Sequence, residues 1–208
     1  MQKIKNMPKI ECPFVRKIIN NNYLVIDEIA EGYEWVFKDD SVMAIEKLHG
    51  TNVSILIQEG TVISVFNRTE RIPFINKGKK WIIEGILNSK ERGYLEFLGD
   101  GQFFGELIGP KVNSNPYKLK EHLWIPFPTF CQKHLKYKSW GKYPKDFKTI
   151  SEWFKNDLIP LYASIQGNRE KGFVEGIVFT HPDGRMAKLR RNMFKWNFQK
   201  NDEINYKI

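Results

Sequence analysis

The chain of 208 residues has only two cysteines, Cys12 and Cys131, far apart and with no CxxC pair. That excludes a disulfide scaffold and a four-cysteine zinc site. No run of about 18 apolar residues is present, so no helix of this sequence is expected to span a membrane. The amino-terminal MQKIKNMPKIECPF carries charge but no apolar h-region, which argues against a secretion signal. Internal repeats, low-complexity segments and Pro/Gly-rich linkers are lacking too. A cytoplasmic setting, in a cell or an infected cell, is the expectation.

What is present is aromatic and basic. Six Trp, eight Tyr and 15 Phe exclude a disordered chain. A chain of this length buries about 70% of its unfolded surface and needs no metal or disulfide to hold a core. Lys and Arg number 33 against 24 Asp and Glu, for a net charge of +9. Such a surface either tracks a phosphate backbone or is an ordinary solvated one. Length and the missing linker predict one domain over 1–208.

Apolar patterning predicts an α+β fold built on antiparallel sheets. Strands are expected at 42–48, 94–98, 102–108, 173–180 and 186–189. A hairpin is expected from 53–57 and 62–66 around Gln58-Glu59-Gly60-Thr61. Pro126 makes 123–127 an edge or a short strand. Helices are expected over 76–87, stopped by Gly93, and over 149–156, with Ser151 as cap. Pro182-Asp183-Gly184 is a turn. Phe194, Trp196 and Phe198 alternate with polar residues and are expected to extend a strand that packs on the core. Trp153 belongs to the core; Trp124 and Trp140 either stack on bases or are buried. Lys133 to Lys148 interleaves lysine with tyrosine, as an RNA-contacting insert or a solvated loop. Cys131 and His134 form a Cys-x-x-His pair with no second pair at zinc spacing.

The segment Glu46-Lys47-Leu48-His49-Gly50-Thr51-Asn52 carries the most chemistry. Strand alternation puts Lys47 on one face and Glu46 and Leu48 on the other. Gly50 then lets the chain turn. A lysine at a strand end beside a glycine turn reaches into a pocket from a rigid backbone, and acts as a nucleophile when deprotonated.

This segment closely resembles the nucleophile motif of the covalent nucleotidyltransferases, in particular the branch of phage double-strand RNA ligases and RNA-editing ligases. Further motifs of that family follow in order: Asn67-Arg68 after the first hairpin, Phe103-Phe104-Gly105-Glu106, Leu123-Trp124-Ile125-Pro126-Phe127, Val174-Glu175-Gly176-Ile177-Val178-Phe179, and Met186-Ala187-Lys188-Leu189-Arg190. Two positions depart from the pattern. Pro128 stands where Asp is usual, and Arg190 replaces a second lysine. Each later motif is weak alone; their order from 46 to 190 is what is specific.

The resemblance implies an antiparallel-sheet adenylyltransferase domain of the ligase type. It implies that Lys47 attacks the α-phosphate of ATP and holds AMP as a lysyl-AMP intermediate. AMP then passes to an RNA 5′-phosphate, which a 3′-hydroxyl joins. Lys188 and Arg190 would meet the α-phosphate, and Glu175 would hold Mg²⁺ or Mn²⁺. Glu106 and Arg68 would hold the ribose and a neighbouring phosphate, Phe127 would stack on adenine, and Glu46 would read its amino group. His49 and Asn52 would orient metal water or the RNA end. The implied function is an RNA ligase acting in RNA repair on nicked duplex RNA, as a monomer. DNA ligases and RNA-capping guanylyltransferases resemble it through the same superfamily but carry an OB-fold domain, for which too few residues follow Arg190. With no separate C-terminal domain, sealing is expected to be weak and salt-sensitive, better on a pre-adenylylated nick, or helped by a partner protein that supplies RNA grip. The rival from another class is a non-catalytic nucleic-acid-binding module of the same fold.

Overall fold

Alternation of apolar and polar residues along short β-branched runs dictates strands, and a computed structural model shows ten among its described residues. It describes residues 4–75, 78–167 and 172–198. The strands are β1 (Phe14–Ile19), β2 (Asn22–Ile29), β3 (Met43–Lys47), β4 (Thr51–Gln58), β5 (Thr61–Asn67), β6 (Glu70–Ile72), β7 (Gly101–Ile108), β8 (Leu123–Pro126), β9 (Gly176–Thr180) and β10 (Met186–Arg190). The helices are α1 (Trp35–Lys38), α2 (Lys80–Glu91), α3 (Gln132–His134), α4 (Phe147–Glu152) and α5 (Leu161–Ile165). The fold class is α+β with antiparallel sheets, as expected.

The chain divides into two units. One comprises residues 4–9, 48–75 and 78–135. Its sheet runs β6-β5-β4-β7-β8, all antiparallel. Glu59 and Gly60, both at positive φ, close the β4–β5 hairpin. This is the geometry that matches strand twist in a two-residue turn. The core face presents Val53, Ile55, Ile57, Val65, Leu107 and Trp124, covered by Ile82 and Ile86 of α2. Trp124 is fully buried and its indole N–H donates to the Val53 carbonyl at 3.0 Å, so it is core and not a base-stacking platform.

The other unit comprises residues 10–47, 136–167 and 172–198. It holds the β1–β2 hairpin and a second sheet in the order β10-β9-β3. Its core is aromatic: Phe14, Phe37, Tyr137, Trp153, Phe154, Phe179 and Phe194. Trp153 is buried there, and Trp140 stacks on it with ring centroids 5.9 Å apart. Within 136–148, Tyr137 is buried and Tyr143 packs against the core, while Lys136, Lys138, Lys142 and Lys148 are exposed.

Several expectations are corrected. Residues 94–98 form turns, not a strand. Tyr94 donates to Ser89, Glu96 to Gly93 and Leu98 to Leu95, so their backbone groups are satisfied locally. The helix cap is Asp146, whose carboxylate accepts the Thr149 N–H at 2.9 Å; Ser151 Oγ instead accepts from Trp196 Nε1. Strand β9 begins at Gly176, later than expected. The tail after β10 does not continue as a strand. A 3₁₀ turn over Arg191–Met193 breaks the alternation, although Phe194 is buried and Trp196 packs on the core. The sequence reading missed β1 and β2, whose turn is Asn20-Asn21, both at positive φ. Of the helix expected over 76–87, residues 76 and 77 lie outside the described residues, and the helix itself is Lys80–Glu91.

Candidate active site

In the three-stranded sheet, the antiparallel register places residues in rows. Lys47 pairs with Gly176, and Gly176 pairs with Arg190. Ile45 pairs with Val178, and Val178 with Lys188. Residues two apart on a strand share a face, so Lys47, Lys188 and Arg190 stand on the same side of the sheet. The opposite rows, Ala44-Phe179-Ala187 and Glu46-Ile177-Leu189, are buried. Gly176 permits this spacing. A Cβ there would stand 2.1 Å from the Leu189 carbonyl oxygen and 2.7 Å from Arg190 Cα.

Glu175, just before β9, joins the cations. Lys47 Nζ donates to its Oε2 at 2.6 Å, and Arg190 Nη1 lies 3.8 Å from its Oε1. The Glu175 carbonyl also accepts the Arg191 N–H at 2.9 Å, which ties its backbone to the end of β10. Burial, then the charges of Arg190 and Lys47, push the Lys188 pKa below the usual lysine range. Lys47 thus forms one cluster with Glu175, Lys188 and Arg190, which lie more than 120 residues further along the chain.

Glu46 is corrected by the same alternation. Its side chain is 2% exposed and lies on the core face, away from that of Lys47. Oε2 accepts the Tyr162 N–H at the start of α5 at 2.9 Å. Burial raises its carboxyl to about 7, against the pull of the Tyr162 and Leu161 N–H groups. A side chain so enclosed anchors α5 to β3 and does not read an adenine amino group.

The five-stranded sheet carries the remaining expected residues. Asn52 on β4 faces Glu106 on β7, and Glu106 faces Ile125 on β8. Glu106 Oε1 accepts the Gly50 N–H at 3.0 Å. Gly50 is packed so closely on β7 that a Cβ would meet the Leu107 carbonyl oxygen at 2.3 Å. The His49 N–H donates to the Tyr117 hydroxyl at 2.7 Å. Asn52 Nδ2 lies 3.4 Å from Met7 Sδ. Phe127 is half-buried and follows β8 directly, as the first residue of a π-helical turn (Phe127–Cys131) rather than the last of a strand. Arg68 is not on a strand either: it is exposed in the β5–β6 turn at φ +56°. An arginine held in the left-handed region costs about 1–2 kcal/mol, a form of local strain that gathers at functional positions. Tyr117 and Asn113, which also holds Gly50, were not legible as site residues because no motif marks their loop.

Cys131 is buried and His134 packs on Phe130, with centroids 4.9 Å apart. Among the described residues no group of three or more His, Cys, Asp or Glu is placed to hold a metal ion. Glu175 remains a hard oxygen donor of the kind Mg²⁺ and Mn²⁺ take when most other ligands are water and phosphate.

Known structures share this architecture. A Naegleria gruberi RNA ligase variant with ATP and Mn superposes with a TM-score of 0.51 at 15% identity, covering 92% of this chain and 62% of that one. An apo variant of a Naegleria gruberi RNA ligase matches at 17% identity with a TM-score of 0.46, over 82% of this chain and 55% of that one. The chain therefore spans less than two thirds of the length of either structure. No protein of curated function matches the sequence. The first of these likenesses shows that the fold is shared with the Naegleria gruberi RNA ligase. The family model described as RNA ligase matches residues 40–197, and the chain belongs to that family.

Proposed function

We propose that this protein is an ATP-dependent RNA ligase working through lysyl-AMP. The observation that carries the reading is the cluster on β3, β9 and β10: a lysine at a strand end, two further cations on its face, and a carboxylate 2.6 Å from its amine. Phosphoryl transfer needs a fixed nucleophile and cations where charge develops, and little else from the protein. Lys47 Nζ attacks the α-phosphorus of ATP; a P–N bond forms and the P–O bond to pyrophosphate breaks. The RNA 5′-phosphate then takes the AMP as the P–N bond breaks. A 3′-hydroxyl attacks that 5′-phosphate, and AMP leaves.

Lys188 and Arg190 face the α-phosphate in this reading, Arg190 with a fork that binds phosphate bidentately. Glu175 holds Mg²⁺ or Mn²⁺, which when bound neutralises phosphate charge. Glu106 and Arg68 hold the ribose and a neighbouring phosphate. Phe127 stacks on adenine, and His49 and Asn52 orient the RNA end or metal water. The substrate is RNA with 5′-phosphate and 3′-hydroxyl ends in a nicked duplex. Two free, buried cysteines suit a reducing compartment such as the cytoplasm.

Incubation with α-labelled ATP or GTP and Mg²⁺ tests the reading. Label from ATP and not GTP is expected, lost in Lys47→Ala and lost on chelation of the metal. Labelling of Lys47→Ala, or a preference for GTP, overturns it.

A further inference from the structure

The loop from β7 to β8, residues 109–122, contains none of the family motifs, yet it grips the turn that follows Lys47. Tyr117 Oη accepts the His49 N–H at 2.7 Å, and Asn113 Nδ2 donates to the Gly50 carbonyl at 2.7 Å. With Glu106 on the Gly50 N–H, three side chains engage three backbone groups of two successive residues. Turns at the surface ordinarily satisfy such groups with water; here side chains supply the partners of these three.

The loop is built to hold that shape. Asn113, Ser114, Asn115 and Lys118 all have positive φ, between 44° and 60°. The Asn115 side chain accepts the Leu119 N–H at 3.0 Å and donates to its carbonyl at 2.8 Å. At the far end, buried His122 accepts the Lys111 N–H at 3.2 Å on Nε2, and Asn88 donates to the His122 carbonyl. Strained conformations persist where surrounding structure over-determines them, and they cluster where geometry matters.

We propose that Tyr117 and Asn113 are positioning residues of the ligase reaction: they lock the His49–Gly50 backbone so that the His49 side chain meets its substrate in one orientation. The proposal rests on the ligase reading above. Neither residue touches substrate; both act through the turn. A reacting group misplaced by 1 Å costs on the order of 10²-fold, and a turn held by fewer bonds spends only part of its time displaced.

Tyr117→Phe removes one hydroxyl and Asn113→Gly one exposed amide while keeping the positive φ that glycine tolerates, so neither opens a core cavity nor adds backbone strain. For each, the kcat of AMP transfer to an RNA 5′-phosphate is expected to fall about tenfold, the worth of one lost hydrogen bond. The KM for ATP should change less than about twofold, since uniform binding is untouched, and the melting temperature should fall by no more than the few degrees that one lost hydrogen bond accounts for. Wild-type kcat in both variants, or a loss explained wholly by lower melting temperature, overturns the proposal. Amide exchange supplies a readout without ATP: the His49 N–H should exchange about tenfold faster in Tyr117→Phe. Unchanged exchange there also overturns it. Should the wild-type protein take no label from ATP, the ligase reading fails, and the exchange measurement still decides whether the clamp holds the turn.

Discussion

Glu46 and Lys47 are chain neighbours whose side chains leave β3 in opposite directions. One enters the core, the other meets Glu175. The buried carboxyl has a folded pKa of about 7 against an ordinary 4.5. The folded state therefore holds a proton that the unfolded chain releases across that window. Its contribution is fully present below pH 4.5 and is lost as pH rises through 7, a span on the order of 3 kcal/mol. In urea unfolding at a series of pH values, Glu46→Gln should match wild type near pH 5 and exceed it above pH 7. A wild-type slope retained in the variant would assign the loss to another group. On the other face, Lys188 stands where the reading puts the α-phosphate. Lys188→Ala should slow lysyl-AMP formation by about 10²–10³, or roughly 3–4 kcal/mol of transition-state stabilisation. Single-turnover labelling measures it, and a wild-type rate would displace Lys188 from the phosphate.

The β9–β10 hairpin is the element on which this chemistry rides. Its turn is closed by Gly184 at φ +93°, and His181 Nε2 joins it to Asp39 at 2.9 Å while Nδ1 meets Asp183 at 2.7 Å. Asp183, then Asp39, holds the imidazolium above the usual histidine pKa. That stabilisation is complete below about pH 6.5 and is lost as pH rises through the raised value. Protection factors of the hairpin amides, taken against intrinsic base-catalysed exchange at each pH, should therefore fall above neutrality in wild type, and His181→Gln should remove that fall. At the other end of β9, Gly176→Ala forces a methyl against the backbone of β10, which can yield only by moving the strand. A loss of about 1–3 kcal/mol is expected in denaturant unfolding. Lysyl-AMP formation should fall with it, since Arg190 and Glu175 shift together. Unchanged stability would mean that β10 is not held as closely as the register shows.

At the scale of the whole molecule, a net charge of +9 favours a polyanion. Each phosphate contact lowers log K by about 0.9 per decade of salt, so four to six contacts should weaken RNA binding by on the order of 10²–10³ between 50 and 200 mM salt. A flat salt dependence in a filter-binding titration would show that charge is not what holds the RNA. Alternation along β3, the hairpin at Glu59-Gly60 and the motif order from Glu46 to Arg190 are local or covalent properties, and the sequence by itself determined them. It even determined that Glu46 and Lys47 diverge, because strand side chains alternate whatever lies around them. It did not determine which face would be core, since that depends on Ile177, Leu189 and Tyr162, more than 100 residues away. The meeting of Lys47 with Glu175 and of His49 with Tyr117 was likewise decided only by tertiary structure. Those contacts join segments 128 and 68 residues apart. Pairing register and loop shape bring them together, and no periodicity or spacing within either segment encodes the meeting.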